Sequence, residues 1–594
     1  MKRPASALVL ALLAIGCRGR TPQERVVGKR EPRTGTSVAV LDLSAGVTER
    51  PASSAFGLPI HAKTYLDFQD AVKKIQENTS VRGVFVRFGS IGLPLSKSEE
   101  IAKLVAPLRE KMPVACHADI YSNATIFLAS QICSHVTLSP GSELESIGLA
   151  SQMMYARTLL QDHLHLDLDV LQIGKYKGAE EPIVRDGPSP EARASLEGVL
   201  ADFRTHWRDG IAAGRKKDLR DVAEDGPYSP DRAKELGLID EVRYADDAKN
   251  DLRTKVSAVR DEIYFGPKSS DERGLPVSQV FELLAGDSAG PSPVALIVAK
   301  GSISMAGGGT FSSDGISEKS LSALLLKAER DESIKAVVLR IDSPGGSALA
   351  SDLLWHRVTS LRAKKPVVVS VGEMAASGGY YIASAANAIF ANATSLLGSI
   401  GVVGGKVGFG KALERIGVHT ETFSGKPSDP KLGTRGAYNS NVSSWDDPTR
   451  ERVRETMQGI YTLFLKRISE GRAVPVETVA LSAEGKIFSG TEAKKRGLID
   501  QIGGLPEAIQ KARELAKLDA DAEVHLLEPP ASFPAFLGGG GGEPNESMAR
   551  LALEMSRSLA PLEVIEAFEQ ISSLEPLCKG ERVVVAMPFV WAVR

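Results

Sequence analysis

Short runs of β-branched and other apolar residues alternate along the chain with longer stretches in which apolar residues recur at helical spacing. Val81–Ser90 and Ile334–Ser343 are two such runs, and a helical stretch precedes each of them. Runs of this kind are typical of strands buried on both faces, as in a parallel sheet that helices cover. The pattern predicts an α/β fold in which helices pack on largely parallel sheets.

The same two runs resemble each other, and they form part of an internal duplication. Pro227–Asp240 resembles Ile487–Asp500, and both segments end in Gly-Leu-Ile-Asp. Two further matches keep the same order, at offsets of about 250 to 260 residues: Ser146–Gly148 with Ser399–Gly401, and Ser37–Leu43 with Val294–Lys300. Chance similarity does not preserve order and offset together. We therefore predict two tandem copies of one α/β domain.

Composition divides the chain around these two copies. Residues 251–293 are charged and end in a stretch rich in Gly, Ser and Pro, which favours a linker. Gly538–Gly542 is a second flexible segment, and a helical stretch at Met548–Ile571 and a strand-like run at Val583–Val593 follow it. The predicted divisions are a signal segment at 1–17, a tether at 18–36, domains at 37–250 and 294–515, the linker at 251–293 and an appendage at 516–594. The appendage has two interpretations, a packing or oligomerisation element or a substrate-guiding or membrane-touching element.

The first residues have the pattern of an export signal. A basic start precedes an apolar run from Ala5 to Ile15, which is too short to span a bilayer. Gly16 and Cys17 directly after this run resemble the lipobox of bacterial lipoproteins, although Ala14 stands where Leu is commonest. The alternative is an ordinary cleaved signal with an incidental cysteine. We expect a protein of the bacterial cell envelope, held to a membrane by a lipid on Cys17 and facing the periplasm.

The remaining composition excludes several classes of function. The formal net charge is -2 over 594 residues, so the chain lacks the basic surface with which nucleic-acid-binding proteins hold phosphates. Its four cysteines are too few for a dense disulfide framework. The sequence has no recognisable metal-ligand cluster and no nucleotide-binding glycine loop, so we expect no metal and no cofactor.

Two segments of the second copy have residue types suited to acyl-transfer chemistry. Ser343–Ser347 reads Ser-Pro-Gly-Gly-Ser, and its glycines leave backbone N–H groups facing a cleft with no side chain in the way. Ser377 lies between small residues where a strand is expected to lead into a helix, and the start of a helix favours developing negative charge. Each segment alone is more typical of a turn or a helix cap. Together they indicate a nucleophile at Ser377 and an oxyanion hole formed by the N–H of Gly378 with that of Gly345 or Gly346.

With Met374–Tyr381 and Gly398–Gly401, these segments resemble bacterial signal peptide peptidase A, also called protease IV, in its long duplicated form. The resemblance extends over about residues 37–515. It implies a crotonase-like or ClpP-like α/β fold in each copy, a bowl-shaped homotetramer, and a Ser–Lys dyad split between the two copies. It also implies substrates that are extended apolar peptides, such as cleaved signal peptides and unfolded envelope proteins, which would pair with a strand edge. The family's usual anchor is a transmembrane helix, so a lipid on Cys17 would be a departure.

Gln172–Pro182 in the first copy resembles the lysine element of this family, which implies that Lys177 is the general base. Its amine must be buried enough for its pKa to fall toward the working pH. Lys426 is the alternative base, because it lies within about one position of the aligned site in the second copy. His419 is a weaker alternative without a recognisable motif around it. The resemblance assigns to Ser399 a hydrogen bond that orients the lysine.

Each copy lacks what the other retains. Ser377 aligns with Asn123, and Gly89–Leu93 stands in the first copy where the second has its Ser-Pro-Gly-Gly turn. The duplication therefore predicts one composite site per chain. Two other classes of function stay open, a crotonase-type CoA enzyme and a catalytically inactive, membrane-anchored scaffold.

Overall fold

Parallel β-sheets lie at the centre of both halves in the computed structural model, which describes residues 35–50, 52–53, 59–60, 63–266, 292–305, 315–421, 423, 437–528 and 583–586. Central strands are mostly apolar and are buried along nearly their whole length, as in Val294–Lys300. Amphipathic helices supply the cover that such strands need on both faces. The α/β prediction is therefore confirmed.

The N-terminal half alternates strands and helices. Its strands are β1 (Ser37–Asp42), β2 (Ala52–Ser53), β3 (Pro59–Ile60), β4 (Val81–Gly89), β5 (Val114–Ala118), β6 (Tyr121–Ser122), β7 (His135–Leu138), β8 (Leu144–Glu145), β9 (Asp167–Ile173), β10 (Glu241–Val242) and β11 (Arg260–Phe265). Its helices are α1 (Tyr65–Glu77), α2 (Leu95–Lys111), α3 (Asn123–Ile132), α4 (Glu181–Val184), α5 (Pro190–Arg215), α6 (Pro230–Leu236) and α7 (Ala245–Lys255), with a π-helical turn at Thr158–His163 and a 3₁₀ turn at Val222–Glu224. A disulfide joins Cys116 on β5 to Cys133 at the end of α3.

The C-terminal half repeats this alternation. Its strands are β12 (Val294–Lys300), β13 (Ser302–Ser304), β14 (Gly315–Ser317), β15 (Ala336–Ser343), β16 (Gly345–Ser347), β17 (Val367–Ala376), β18 (Ala388–Ala391), β19 (Leu396–Gly398), β20 (Val402–Gly408), β21 (Ile487–Ser489), β22 (Gln501–Ile502), β23 (Val524–Leu526) and β24 (Val583–Ala586). Its helices are α8 (Glu318–Arg330), α9 (Ala348–Arg362), α10 (Gly378–Ala383), α11 (Gly410–Arg415), α12 (Asp447–Arg472), α13 (Val476–Ala480), α14 (Gly490–Lys495) and α15 (Leu505–Leu515).

The two main sheets have the same strand order, which is the structural form of the duplication. The first sheet runs β10-β7-β5-β4-β1-β11, and the second contains the equivalent path β22-β18-β17-β15-β12-β23. Neighbouring strands along both paths are parallel. The second sheet adds β19 beside the end of β17, and β21 pairs with β19. The added strand β19 therefore lies beside the end of β17, and Ser377 directly follows β17.

Both copies extend past the domain ends that the sequence suggests at residues 250 and 515. β11 lies in the expected linker and forms the edge of the first sheet beside β1. β23 lies in the expected appendage and forms the corresponding edge beside β12. An edge strand is paired on one side only and tolerates charged residues, as in the Arg-Asp-Glu start of β11. The polar composition of these segments therefore indicated a linker where the chain forms a strand.

A third sheet joins segments that are distant along the chain. Its order is β14-β13-β16-β24-β20-β9. β9 comes from the N-terminal half and pairs antiparallel with β20 over seven residue pairs, from Val402 opposite Ile173 to Gly408 opposite Asp167. β24 comes from the expected appendage. The third sheet thus brings both halves and the end of the chain to one place.

The two halves also share a hydrophobic core. Val294 and Leu296 on β12 belong to the cluster that contains the first half's core, whereas Ala295 and Ile297 belong to the other cluster. Successive side chains of a strand point to opposite faces, so one face of the second sheet packs with the first half. The halves are therefore held in a fixed relation by apolar burial.

A buried cluster of charged side chains crosses the same boundary. Arg340 on β15 is 1% exposed, and it donates from Nη1 to Glu100 Oε1 at 2.6 Å and from Nη2 to Glu100 Oε2 at 2.9 Å. Its Nη2 also donates to Glu49 Oε1 at 2.9 Å, and Lys97 binds both carboxylates. Burial disfavours the charged form of Glu49, but Arg340 and Lys97 outweigh it and lower the pKa of Glu49 to about 2. The cluster ties Glu49, Lys97 and Glu100 of the first half to the second sheet.

Replacing the cation in this cluster is expected to destabilise the protein. Arg340→Met leaves two buried carboxylates with only Lys97 to balance them, and breaking a buried ion pair costs about 3–5 kcal/mol. We expect a clear fall in the urea midpoint of the first unfolding transition. Lys73→Ala is the control, because Lys73 and Glu77 form an exposed pair at 4.0 Å, and such pairs contribute about 0–1 kcal/mol. Equal midpoints for the two variants would contradict the role given to the cluster.

Candidate active site

Ser377 lies at the junction between β17 and α10. Its backbone has φ 54° and ψ -114°, a conformation that costs a residue with a side chain about 1–3 kcal/mol. Two hydrogen bonds hold it there, because the Ser377 N–H donates to Gly398 O at 2.7 Å and the Tyr381 N–H donates to Ser377 O at 2.8 Å. The surrounding strand and helix thus keep this serine in a strained conformation at the start of a helix.

Lys177 approaches this serine from the other half of the chain. It lies in the turn between β9 and α4, and it is 1% exposed. Its Nζ lies 2.7 Å from Ser377 Oγ, 2.6 Å from Ser399 O and 3.1 Å from Ser399 Oγ. The structure therefore brings Lys177, Ser377 and Ser399 together around one amine, although Lys177 and Ser377 are 200 residues apart in the sequence.

The surroundings of this amine favour its neutral form. Burial lowers the pKa of the Lys177 ammonium well below its ordinary value, while the nearby Glu180 carboxylate acts in the opposite direction. Burial also raises the pKa of Glu180 to about 7. The three oxygen atoms that contact the amine carry no full negative charge, since they belong to two hydroxyls and a carbonyl. Such an amine can accept a proton at a pH where an exposed lysine cannot.

The turn that contains Lys177 is held against the second half by Glu484 and Gly485. The Tyr176 N–H donates to Glu484 O at 2.8 Å. Gly485 has φ +80°, and a Cβ at this position would lie 2.3 Å from Lys177 Cα. Only glycine permits so close an approach of the two backbones. No sequence motif singles out Gly485, whose one signal is its position two residues before the repeated segment Ile487–Asp500.

The Pro-Gly-Gly turn lies beside the start of α10. A Cβ on Gly378 would lie 3.2 Å from Gly345 Cα and 2.6 Å from Ser351 Oγ, so the two backbones nearly touch. The Gly345 N–H already donates to Ser343 Oγ at 3.2 Å. Gly378 is the first residue of α10, and the first N–H groups of a helix have no partner within it. The Gly378 N–H is therefore a candidate for holding a negatively charged oxygen, whereas the Gly345 N–H already has an acceptor and Gly346 lies in the strand pairs of β16 with β13 and β24.

The equivalent of Ser377 in the first half has a structural role. Asn123 begins α3, and its side chain donates to Gly148 O at 2.9 Å and accepts from the Ile147 N–H at 3.0 Å. These bonds fix the loop that follows β8. The Asn123 side chain is thus used in local structure.

The remaining predicted residues are one that the structure describes, His419, and two that it does not. His419 is exposed, whereas Ser377 is fully buried. Lys426 and Cys17 lie outside the described residues, together with the signal segment and most of the linker and appendage. Within the described ranges, no helix is long and apolar enough to cross a membrane. In the same part of the chain, no group of three or more His, Cys, Asp or Glu side chains could hold a metal ion.

Comparison with known proteins yields a family and several similar proteins. A family model described as peptidase family S49 matches residues 106–259 and 359–519, one region in each half. "Serine protease SPPA, chloroplastic" of Arabidopsis thaliana is 31% identical over 474 residues, which cover 78% of this chain and 67% of that protein. "Protease 4" of Haemophilus influenzae is 28% identical over 468 residues, covering 76% of this chain and 73% of that protein. "Protease 4" of Salmonella typhi is 27% identical over 509 residues, covering 83% and 80% respectively.

A methyl group on Gly485 is expected to move Lys177 away from Ser377. The Cβ of Gly485→Ala would collide with Lys177 Cα, and a displacement of about 1 Å in a catalytic group can lower a rate about 100-fold. We expect a loss of that size in peptide hydrolysis. Gly497→Ala is the matched control, because Gly497 has φ +72° but nothing within 4 Å of the added Cβ. If both variants lose activity equally, backbone strain alone explains the effect and the close contact does not.

Proposed function

The chain belongs to peptidase family S49 and is a serine peptidase, and from this starting point we propose that Ser377 is its nucleophile and Lys177 its general base. The observation that carries the proposal is the 2.7 Å contact between Lys177 Nζ and Ser377 Oγ, two side chains that are both buried. A serine hydroxyl is a weak nucleophile until a base removes its proton, and Lys177 is the base in contact with it. Membership in a peptidase family leaves no reason to prefer a CoA enzyme or an inactive scaffold.

The contacts of the amine match the needs of a neutral lysine. A neutral amine has two N–H groups and one lone pair. The N–H groups donate to Ser399 O at 2.6 Å and to Ser399 Oγ at 3.1 Å. The lone pair is then directed to the Ser377 hydroxyl, which donates its proton to Nζ at 2.7 Å. In this arrangement Ser399 orients the base and leaves its lone pair to the nucleophile.

The reaction proceeds through an acyl-enzyme. Ser377 Oγ bonds to the scissile carbonyl carbon as Lys177 takes the hydroxyl proton, and the N–H of Gly378, with that of Gly345 or Gly346, stabilises the negative oxygen. The C–N bond then breaks as Lys177 returns the proton to the leaving amine. Water attacks the ester carbonyl with Lys177 again as base, the C–Oγ bond breaks, and the Ser377 hydroxyl is restored. No cofactor takes part in these steps.

The substrate is an extended apolar peptide that binds between β16 and β20. We call the space between these two strands the strand site. β16 contains Gly345 and Gly346, and β20 begins three residues after Ser399, so a peptide there passes beside the dyad. Apolar side chains of Ala179, Val170 and Val403 line its surroundings. Cleaved signal peptides and unfolded envelope proteins have this chemistry, and the resemblance to signal peptide peptidase A supports them as substrates.

The proposal also covers where the protein is attached in the cell and how it assembles. A lipid on Cys17 attaches the protein to a membrane of the bacterial envelope, with the peptidase facing the periplasm. The support is the lipobox-like segment that ends at Cys17. Assembly as a homotetramer is proposed from the resemblance to signal peptide peptidase A. These points concern where the peptidase acts, and the chemistry proposed for Ser377 is independent of them.

Single substitutions distinguish the proposed base from its alternative. Ser377→Ala and Lys177→Met are each expected to lower kcat for an apolar peptide by at least about 1,000-fold, because dyad members act as a unit. Lys426→Ala is expected to retain activity. The measurement is steady-state hydrolysis by purified protein, with far-ultraviolet circular dichroism to confirm folding. Activity that survives in Ser377→Ala, or that is lost only in Lys426→Ala, would overturn the dyad assignment.

The pH dependence of the reaction should reflect the buried amine. The amine must be neutral to act as a base, so kcat/KM rises with pH through the pKa of Lys177, which burial places below the ordinary lysine range. Ionised Glu180 favours the charged amine and raises the pKa of Lys177. Glu180→Gln should therefore move the rising limb to lower pH. The control is Glu197→Gln, whose carboxylate is on an exposed side chain, and a shift of the limb to higher pH in Glu180→Gln would contradict this reasoning.

A further inference from the structure

β24 lies in the strand site. It pairs antiparallel with β16, with Ala586 opposite Gly345 and Val584 opposite Ser347. On its other side it pairs antiparallel with β20, with Val584 opposite Val403. Among the strands that the structure describes, β16 and β20 are joined through β24. This short segment near the end of the chain is therefore the strand that completes the third sheet.

The backbone groups of β16 and β20 that face the strand site can pair with an extended strand of any sequence. Strands in a sheet lie about 4.8 Å apart, and their N–H and C=O groups pair with any extended chain that enters. β16 contains the glycine turn that nearly touches Gly378, so a chain in this position passes the proposed oxyanion hole. A substrate peptide and β24 would need the same hydrogen-bonding edges. They cannot occupy the strand site together.

The side chain of Val584 holds β24 in the strand site through apolar contacts. It is fully buried and clusters with Ala179 and Val403, and Val170 and Ile183 pack against them. Ala179 lies two residues from Lys177, so this apolar pocket adjoins the dyad and is formed by both halves. A β-branched aliphatic side chain fills it here. An apolar substrate residue would enter the same pocket.

We propose that β24 is an intramolecular competitor of the substrate, which occupies the strand site and must leave before a peptide binds. This inference rests on the proposed function of the dyad, since it concerns access to that site. A permanent strand in this position would leave a peptidase with a fully buried nucleophile and no place for its substrate. A site that is open only part of the time binds its ligand more weakly in proportion to the open fraction. The measurable consequence is a raised KM with little change in kcat.

Removal of β24 from its pocket is the direct test. Val584→Asp would place a carboxylate among Ala179, Val403 and Val170, which is strongly unfavourable without a partner. The pocket itself is unchanged and stays available to substrate. We expect KM for an extended apolar peptide to fall by at least about tenfold at nearly constant kcat, with a smaller fall for Val584→Ala. Val259→Asp is the control, because Val259 is 68% exposed and directly precedes β11 at the edge of the first sheet, and its KM should match that of the wild type.

A binding measurement separates this inference from the dyad proposal. In a Ser377→Ala background, a fluorescein-labelled peptide with the sequence of residues 582–586, Arg-Val-Val-Val-Ala, should bind at least about tenfold more tightly when Val584→Asp is also present. Equal affinity with and without Val584→Asp would overturn the inference, even if the wild type hydrolyses peptides normally. A fall in kcat with unchanged KM would also overturn it, since β24 would then be a structural strand. Tighter binding in the Ser377→Ala, Val584→Asp protein, together with a wild-type protein that hydrolyses no peptide, would instead refute the dyad and leave the competition intact.

Discussion

The buried amine of Lys177 is the constraint on which the rest of the structure depends. Taking an amine out of water lowers its pKa, and the lowered pKa is what would allow Lys177 to act as a base. The lysine belongs to the first half, whereas Ser377 and Ser399 belong to the second. The amine is therefore shielded from water only while the two halves keep their relative position. The shared core and the charged cluster around Arg340 both act at this boundary.

The duplicated fold supplies the two halves with the same sheet but with different loops at its ends. Ser377 and Asn123 both lie where a central strand leads into a helix. In the first half the polar side chain is bound to its own loop. In the second half the serine is strained and directed to a lysine from the other copy. The prediction of one composite site per chain agrees with this division, since Lys177 and Ser377 come from different halves.

The third sheet connects the base, the nucleophile and the proposed peptide path. β9 leads directly into the Lys177 turn, and its antiparallel pairing with β20 fixes where that turn meets Ser399. β16 provides the glycine turn on the opposite side of the strand site. A chain bound between β16 and β20 therefore touches elements that also position the dyad. In the proposed mode of binding, the peptide would therefore be linked to the alignment of the dyad through backbone hydrogen bonds.

The sequence by itself determined the α/β class, the duplication and the family, because apolar periodicity and short motifs are local properties that residues carry wherever they fold. It also singled out Ser377, Lys177 and Ser399, whose roles stay predictions although the structure brings them together. Tertiary structure alone decided that β11 and β23 are edge strands, that Gly485 lies against Lys177, and that Val584 lies in the strand site. The physical reason is that burial and strand pairing are sums over segments hundreds of residues apart. No single segment contains that information.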